Sequence, residues 1–180
     1  MAELPWLYPR LQLEVFLAEE PPRDEWPNPD EFGRLAREDV RGAEVVLRRA
    51  ASALAGELGQ EGGEHFLRYR QYLRALAGTG PSAGSLELMH GQCSSPALQL
   101  EDASVYVSHT IAALEGETEG PGPQLRLVRL FLSLLRDMLP HQPGLLLTCP
   151  EIETFCLQQT ALAEGVALFQ QLKLLQSIYL

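Results

Sequence analysis

Residues 125–139 read LRLVRLFLSLLRDML. Placing successive residues 100° apart gathers Arg126, Arg129, Ser133, Arg136 and Asp137 into one narrow stripe and leaves the rest of the circumference to Leu, Val, Phe and Met. A helix that is apolar over most of its girth has to be covered from more than one side, so this segment belongs at the centre of a helical bundle. It is not a membrane span, because its charges interrupt it and Pro140 ends it well short of roughly 20 apolar residues.

Five more segments carry a helical period, separated by stretches rich in Pro and Gly. The first, residues 9–20, puts Leu13, Phe16 and Leu17 on one side, with Leu7 and Leu11 close by, and stops at Pro21 and Pro22. Trp26-Pro27-Asn28-Pro29 then forbids helix and reads as a rigid connector. A second helix starts from Asn28 or Asp30 as cap and is expected to run to about residue 58. A third, residues 64–77, buries Phe66, Tyr69, Leu73 and Leu76. Residues 78–95 form the longest non-periodic stretch and are expected to be a mobile loop.

Ser95 and Pro96 open a fourth helix whose buried stripe is Leu100, Ala103, Val107, Ile111 and Leu114, although Val105-Tyr106-Val107 would also suit a strand. The segment at 123–139 is the fifth. Thr148 can cap and Pro150 can open the last helix, which runs to residue 180 with a kink or break near Gly165. The expected fold is therefore all-α: an antiparallel bundle of about six helices with the helix near 125–139 central. It forms a single domain over 1–180, or the amino-terminal part of a longer chain, and a short helical-hairpin solenoid is the alternative.

Composition narrows the function. With 46% hydrophobic residues the 180-residue chain can build an ordinary core, and 24 acidic against 14 basic residues give a net charge of −10. That balance disfavours a basic nucleic-acid-binding domain and a binder of anionic membranes. The first residues lack the basic start of a secretory signal. The three cysteines cannot pair completely, so a reducing compartment is expected, cytoplasm or nucleus.

No set of residues meets the demands of a reaction centre. His90 and Cys93 supply two ligands where a metal needs more, and Cys149 and Cys156 sit roughly 10 Å apart if they share a helix. His141 is the histidine nearest Cys149 in sequence, but Cys156 beside Phe155 reads as a core thiol. Asp102 and His109 read as two solvated polar residues on the outer face of the fourth helix, too far apart for direct contact. The glycine-rich run at 78–85 lacks the Gly-Lys-Ser/Thr ending of a phosphate loop. No catalytic, cofactor-binding or metal-ligating residue is assigned.

Two surfaces remain. Residues 66–74 interleave Arg with aromatics; Tyr69 points inward, leaving Arg68, Arg70, Tyr72 and Arg74 accessible. Their plain role is a solvated face pairing with acidic neighbours; a partner protein or nucleic acid is the sharper one. At the other end, Leu174, Leu175, Ile178 and Tyr179 help surround nearly the whole of the last helix with apolar groups, which dock in the core or meet a partner. Taken together, the sequence reads as a non-enzymatic α-helical interaction module, a scaffold or adaptor subunit of an intracellular protein complex. Its partner-binding candidates are Arg68, Arg70, Tyr72, Arg74, Leu174, Leu175, Ile178 and Tyr179. Two other classes stay open: an enzyme or small-ligand-binding bundle with a pocket drawn from distant residues, and a nucleic-acid-associated subunit using the 68–74 face.

Overall fold

The computed structural model describes residues 26–55, 63–95, 97–116 and 121–180. The helix expected at 9–20 lies outside them, as does residue 58. Among the described residues there are nine helices and no strand.

Asn28 opens α1 (Pro29–Glu38): its side chain accepts from the Glu31 N–H, the Glu31 carboxylate accepts from the Asn28 N–H, and Pro29 takes the first helical position. The continuous helix expected from here is broken at Asp39 and resumes as α2 (Val40–Ala55). Asp39 leaves helical geometry at φ −142°, yet its N–H still donates to the Leu35 carbonyl at 2.7 Å and its carboxylate accepts from the Gly42 N–H at 3.1 Å. One short carboxylate thus ends one helix and caps the next.

After α3 (Glu64–Gly78), the expected mobile loop instead holds a buried helix, α4 (Ala83–Gln92). Ser82 caps it, accepting from the Ser85 N–H at 3.1 Å while the Ser85 hydroxyl accepts from the Ser82 N–H at 3.0 Å. Gly84 lets α4 lie against α2, because a Cβ there would collide with the Val40 side chain.

The run Val105-Tyr106-Val107 is helical, inside α5 (Leu100–Gly116). It is followed by α6 (Pro121–Met138) and the short α7 (Leu145–Thr148). Thr148 ends α7 rather than capping the next helix, and Pro150 precedes α8 (Glu151–Gln158). The last expected helix divides just before Gly165: α9 (Ala163–Tyr179) starts after a turn so tight that a Cβ on Gly165 would strike the Gln159 carbonyl.

The result is an all-α bundle. α6 buries Val128, Phe131, Leu132, Leu134, Leu135 and Met138 between α4 on one side and α9 on the other, with Phe131 edge-on to Phe155 of α8 at 5.5 Å. As the wheel implies, Arg126, Arg129, Arg136 and Asp137 face outward. α3 packs against α1, α2 and α5 at the opposite end. No helix among the described residues is long and apolar enough to cross a membrane.

The relative direction of the last helices follows from their bonds. Arg129 meets Glu164 at 4.0 Å, and the Gln171 amide donates to the Arg136 carbonyl at 2.9 Å. Contacts that advance equally along both helices make α6 and α9 parallel. Glu153 meets Lys173 at 2.8 Å while the Cys156 thiol donates to the Gly165 carbonyl at 3.2 Å, so α8 and α9 are antiparallel. Level with residue 171, α6 is two residues from its end; level with residue 176, α8 is at its start. The final turns of α9 therefore overhang both neighbours.

Candidate functional site

The arginine face of α3 closes on its own domain. Arg70 donates through Nε to Asp102 Oδ2 at 2.8 Å and through Nη2 to Asp102 Oδ1 at 3.3 Å, and it also reaches Glu101 at 3.4 Å. Arg74 donates to Asp102 Oδ1 at 3.1 Å. Asp102 was expected on a solvated outer face with His109; instead its side chain is only 4% exposed beneath the two guanidiniums, while His109 stays at the surface. A carboxylate at that depth is tolerated because charged donors satisfy both of its oxygens. The same hydrogen bonds from Asp102 raise the Arg70 pKa above its ordinary value.

Arg68 lies over the Trp26 ring at 4.7 Å and bonds Glu64 at 3.0 Å. Tyr72 does not belong to the face at all. It is fully buried, stacked on Phe32 with ring centroids 4.6 Å apart, and its hydroxyl donates to the Pro27 carbonyl at 2.6 Å. Burial pushes this phenol up to about 12. The accessible remainder is Arg68, Arg70 and Arg74, and each has an acidic partner within the chain.

The end of α9 behaves in the opposite way. Leu168 and Leu172 are buried and Leu175 is half-buried against the core, but Leu174, Ile178, Tyr179 and Leu180 are 62%, 63%, 56% and 68% exposed. Leu174 and Ile178 stand one turn apart on the same side. Leu67, Val105, Leu125, Leu147 and Leu157 are also exposed, each on a different helix, and Val166 is exposed near the start of α9; among the described residues only the end of α9 gathers several within two turns. Lys173 borders the patch and holds the Glu153 carboxyl below the usual carboxylate range, with help from Gln176. Scattered apolar residues are ordinary on a surface, whereas a gathered set marks a contact.

The residues weighed for chemistry are spread through the fold. The Cys149 thiol donates to the Ser104 carbonyl at 3.6 Å, and Cys156 bonds Gly165 as described. Burial pushes the Cys156 thiol up to about 11, with the nearby Glu153 charge adding to it, away from the thiolate a nucleophile needs. His90 pairs with Asp137 across α4 and α6. Among the described residues, no three His, Cys, Asp or Glu are placed to hold a metal ion. A groove of about 630 Å³ between α5, α6 and α8 is floored by Leu114, Val128 and Phe155 and rimmed by Gln124, Gln158 and Gln159, with neither cysteine nor histidine.

The fold and these faces define an all-α helical bundle that, among the described residues, leaves the apolar end of one helix exposed. The chain belongs to the CCR4-NOT transcription complex subunit 11 family, whose model matches residues 46–173, from within α2 to Lys173 of α9. The family is named for a subunit of a complex, not for a reaction. Comparison with curated proteins gave no match.

Proposed function

We propose that the chain is a non-enzymatic adaptor subunit of a CCR4-NOT assembly, acting inside the cell in cytoplasm or nucleus, and that it meets its protein partner through the end of α9. The observation that carries this is the cluster of Leu174, Ile178 and Tyr179 on a helix that overhangs both of its neighbours. Family membership supports the assembly. The ion pairs of Arg70 and Arg74 with Asp102 turn attention away from α3, whose charges are already engaged. Apolar helix faces are read by partners as sets of anchors one turn apart, and a few fully buried anchors carry most of the energy of such contacts.

The test is co-purification of the tagged full chain with CCR4-NOT subunits from cells. Leu174→Glu combined with Ile178→Glu is expected to abolish recovery while the helical circular dichroism of the chain is unchanged, and Arg74→Ala is expected to leave recovery intact. Undiminished recovery of those subunits with the α9 variant would refute the contact surface; failure of the unaltered chain to recover any of them would refute the assembly.

A further inference from the structure

α6 carries a second arginine face, and its counter-ions are unlike those of α3. Its charged residues are Arg126, Arg129, Arg136 and Asp137, three cations against one anion in a chain whose balance is −10. Asp137 is turned to His90 of α4 at 2.5 Å, and Arg129 has only the 4.0 Å approach of Glu164. Arg126 and Arg136 are exposed, and their side chains make no hydrogen bond or ion pair among the described residues.

This face runs on into the exposed end of α9. Counting 100° per residue from buried Leu172, Glu164 and Gln171, the two residues bonded to α6, lie about 80° and 100° round the helix. Ile178 and Leu174 follow on the same side at about 120° and 160°, whereas Lys173, engaged by Glu153 of α8, lies about 100° round the other way. Because α6 and α9 are parallel with Arg136 level with Gln171, the apolar pair comes one to two turns beyond the last arginine. From Arg126 to Ile178 the face is about 25 Å long, the length of a helix of roughly 17 residues.

Building on the end of α9 as a partner surface, we infer that this face receives an acidic amphipathic helix of a partner protein, with carboxylates on Arg126, Arg129 and Arg136 and apolar side chains on Leu174 and Ile178. Guanidiniums bind carboxylates bidentately, and an amphipathic helix offers carboxylates on one flank and anchors at one-turn spacing on the other. A nucleic-acid strand would answer the arginines but leave Leu174 and Ile178 in water, and its unbroken charge would meet the repulsion of the acidic chain in full. A second copy related by a two-fold axis would bring the face onto itself, where the acids at hand, Asp137 and Glu164, are already engaged.

The probe is a fluorescein-labelled helical peptide of about 18 residues, with Glu along one face and Leu along the other, titrated with the full chain by anisotropy. Binding is expected. It should weaken at least about tenfold in Arg126→Glu combined with Arg136→Glu, with helical circular dichroism unchanged, and by a comparable factor in Leu174→Glu combined with Ile178→Glu. Arg126→Lys with Arg136→Lys should keep most of the affinity, and carbodiimide should then join an introduced lysine to a peptide Glu through an amide. A peptide with Lys in place of Glu should not bind. The inference is overturned if the acidic peptide does not bind, if the charge reversal leaves its affinity within about twofold, or if the Lys peptide binds as well. Single-stranded oligouridylate that binds more tightly than the peptide and is released by the same charge reversal overturns it in favour of nucleic acid; a dimer in sedimentation that the charge reversal dissociates does so in favour of a second copy. Recovery of CCR4-NOT subunits separates the two readings. Lost with the α9 variant but undiminished by the charge reversal, it keeps the partner surface and refutes the acidic partner. Undiminished by the α9 variant while the peptide binds as expected, it keeps the acidic-helix face and refutes the α9 end as the meeting point with the assembly.

Discussion

The faces of α3 and the end of α9 carry the same kind of promise in the sequence, an excess of one residue type on a helix, and the fold treats them oppositely. On α3 the excess is charge, and charge can be answered at a distance by another element: Asp102 of α5 meets both Arg70 and Arg74 and seals the face from within. On α9 the excess is apolar area, which only direct coverage removes from water. The parallel α6 and antiparallel α8 both stop short of its last turns. A run of arginines is thus a weak pointer to a partner until its counter-ions are known, while an uncovered apolar helix end retains an unsatisfied gain on burial, about 25 cal/mol per Å².

This contrast can be broken at either end. The largest expected effect is at Asp102, where replacement by Ala leaves two guanidiniums facing a gap; a loss of about 3 kcal/mol in urea unfolding is expected, somewhat tempered by the partial exposure of Arg74. An effect below about 0.5 kcal/mol would mean that the pairing does not seal the face.

Next comes alkaline titration. Tyr72 ionises near 10 in an unfolded chain but only at about 12 in the fold, so its contribution is complete below pH 10 and is lost as pH rises towards 12, about 3 kcal/mol in all. The 295 nm absorbance that a Tyr72→Phe variant loses should belong to a phenol that ionises only as the helical signal collapses; its independent, earlier ionisation would return Tyr72 to the accessible face. Arg74→Ala, at a half-exposed position, should cost under about 1 kcal/mol. The smallest stability effect belongs to Leu174→Glu and Ile178→Glu, within about 0.5 kcal/mol each. A loss comparable with that of Asp102→Ala would show that the α9 end is core after all.

Much of the bundle is legible in the chain because its rules are local. Asn28 with Glu31 three residues on announces the start of α1, and the narrow polar stripe of α6 announces a helix covered on several sides. α4 escapes this logic: Leu86, Leu88 and Met89 are all buried but share no single face, so the helix shows no amphipathic period. Its only local signal is the pair Ser82 and Ser85. The break at Asp39 is hidden for the converse reason, since Leu35, Ala36, Val40 and Ala43 keep the apolar spacing straight through it.

Tyr72 could have been placed from spacing alone, for it lies three residues from Tyr69 and four from Leu76, on the buried arc. The pairing of Asp102 could not. Which cations find a buried carboxylate depends on the tertiary approach of α3 to α5, and nothing in the local sequence of either helix records it. The α9 patch sits between these cases, since its composition is visible in sequence and its exposure depends on where α6 and α8 end.

The most direct measurement is amide hydrogen exchange of the chain alone and within a purified CCR4-NOT assembly. Slowed exchange in residues 172–180 on assembly, with residues 66–74 unchanged, is the expected result; slowed exchange at 66–74 with 172–180 unchanged would contradict the assignment of the partner surface to α9.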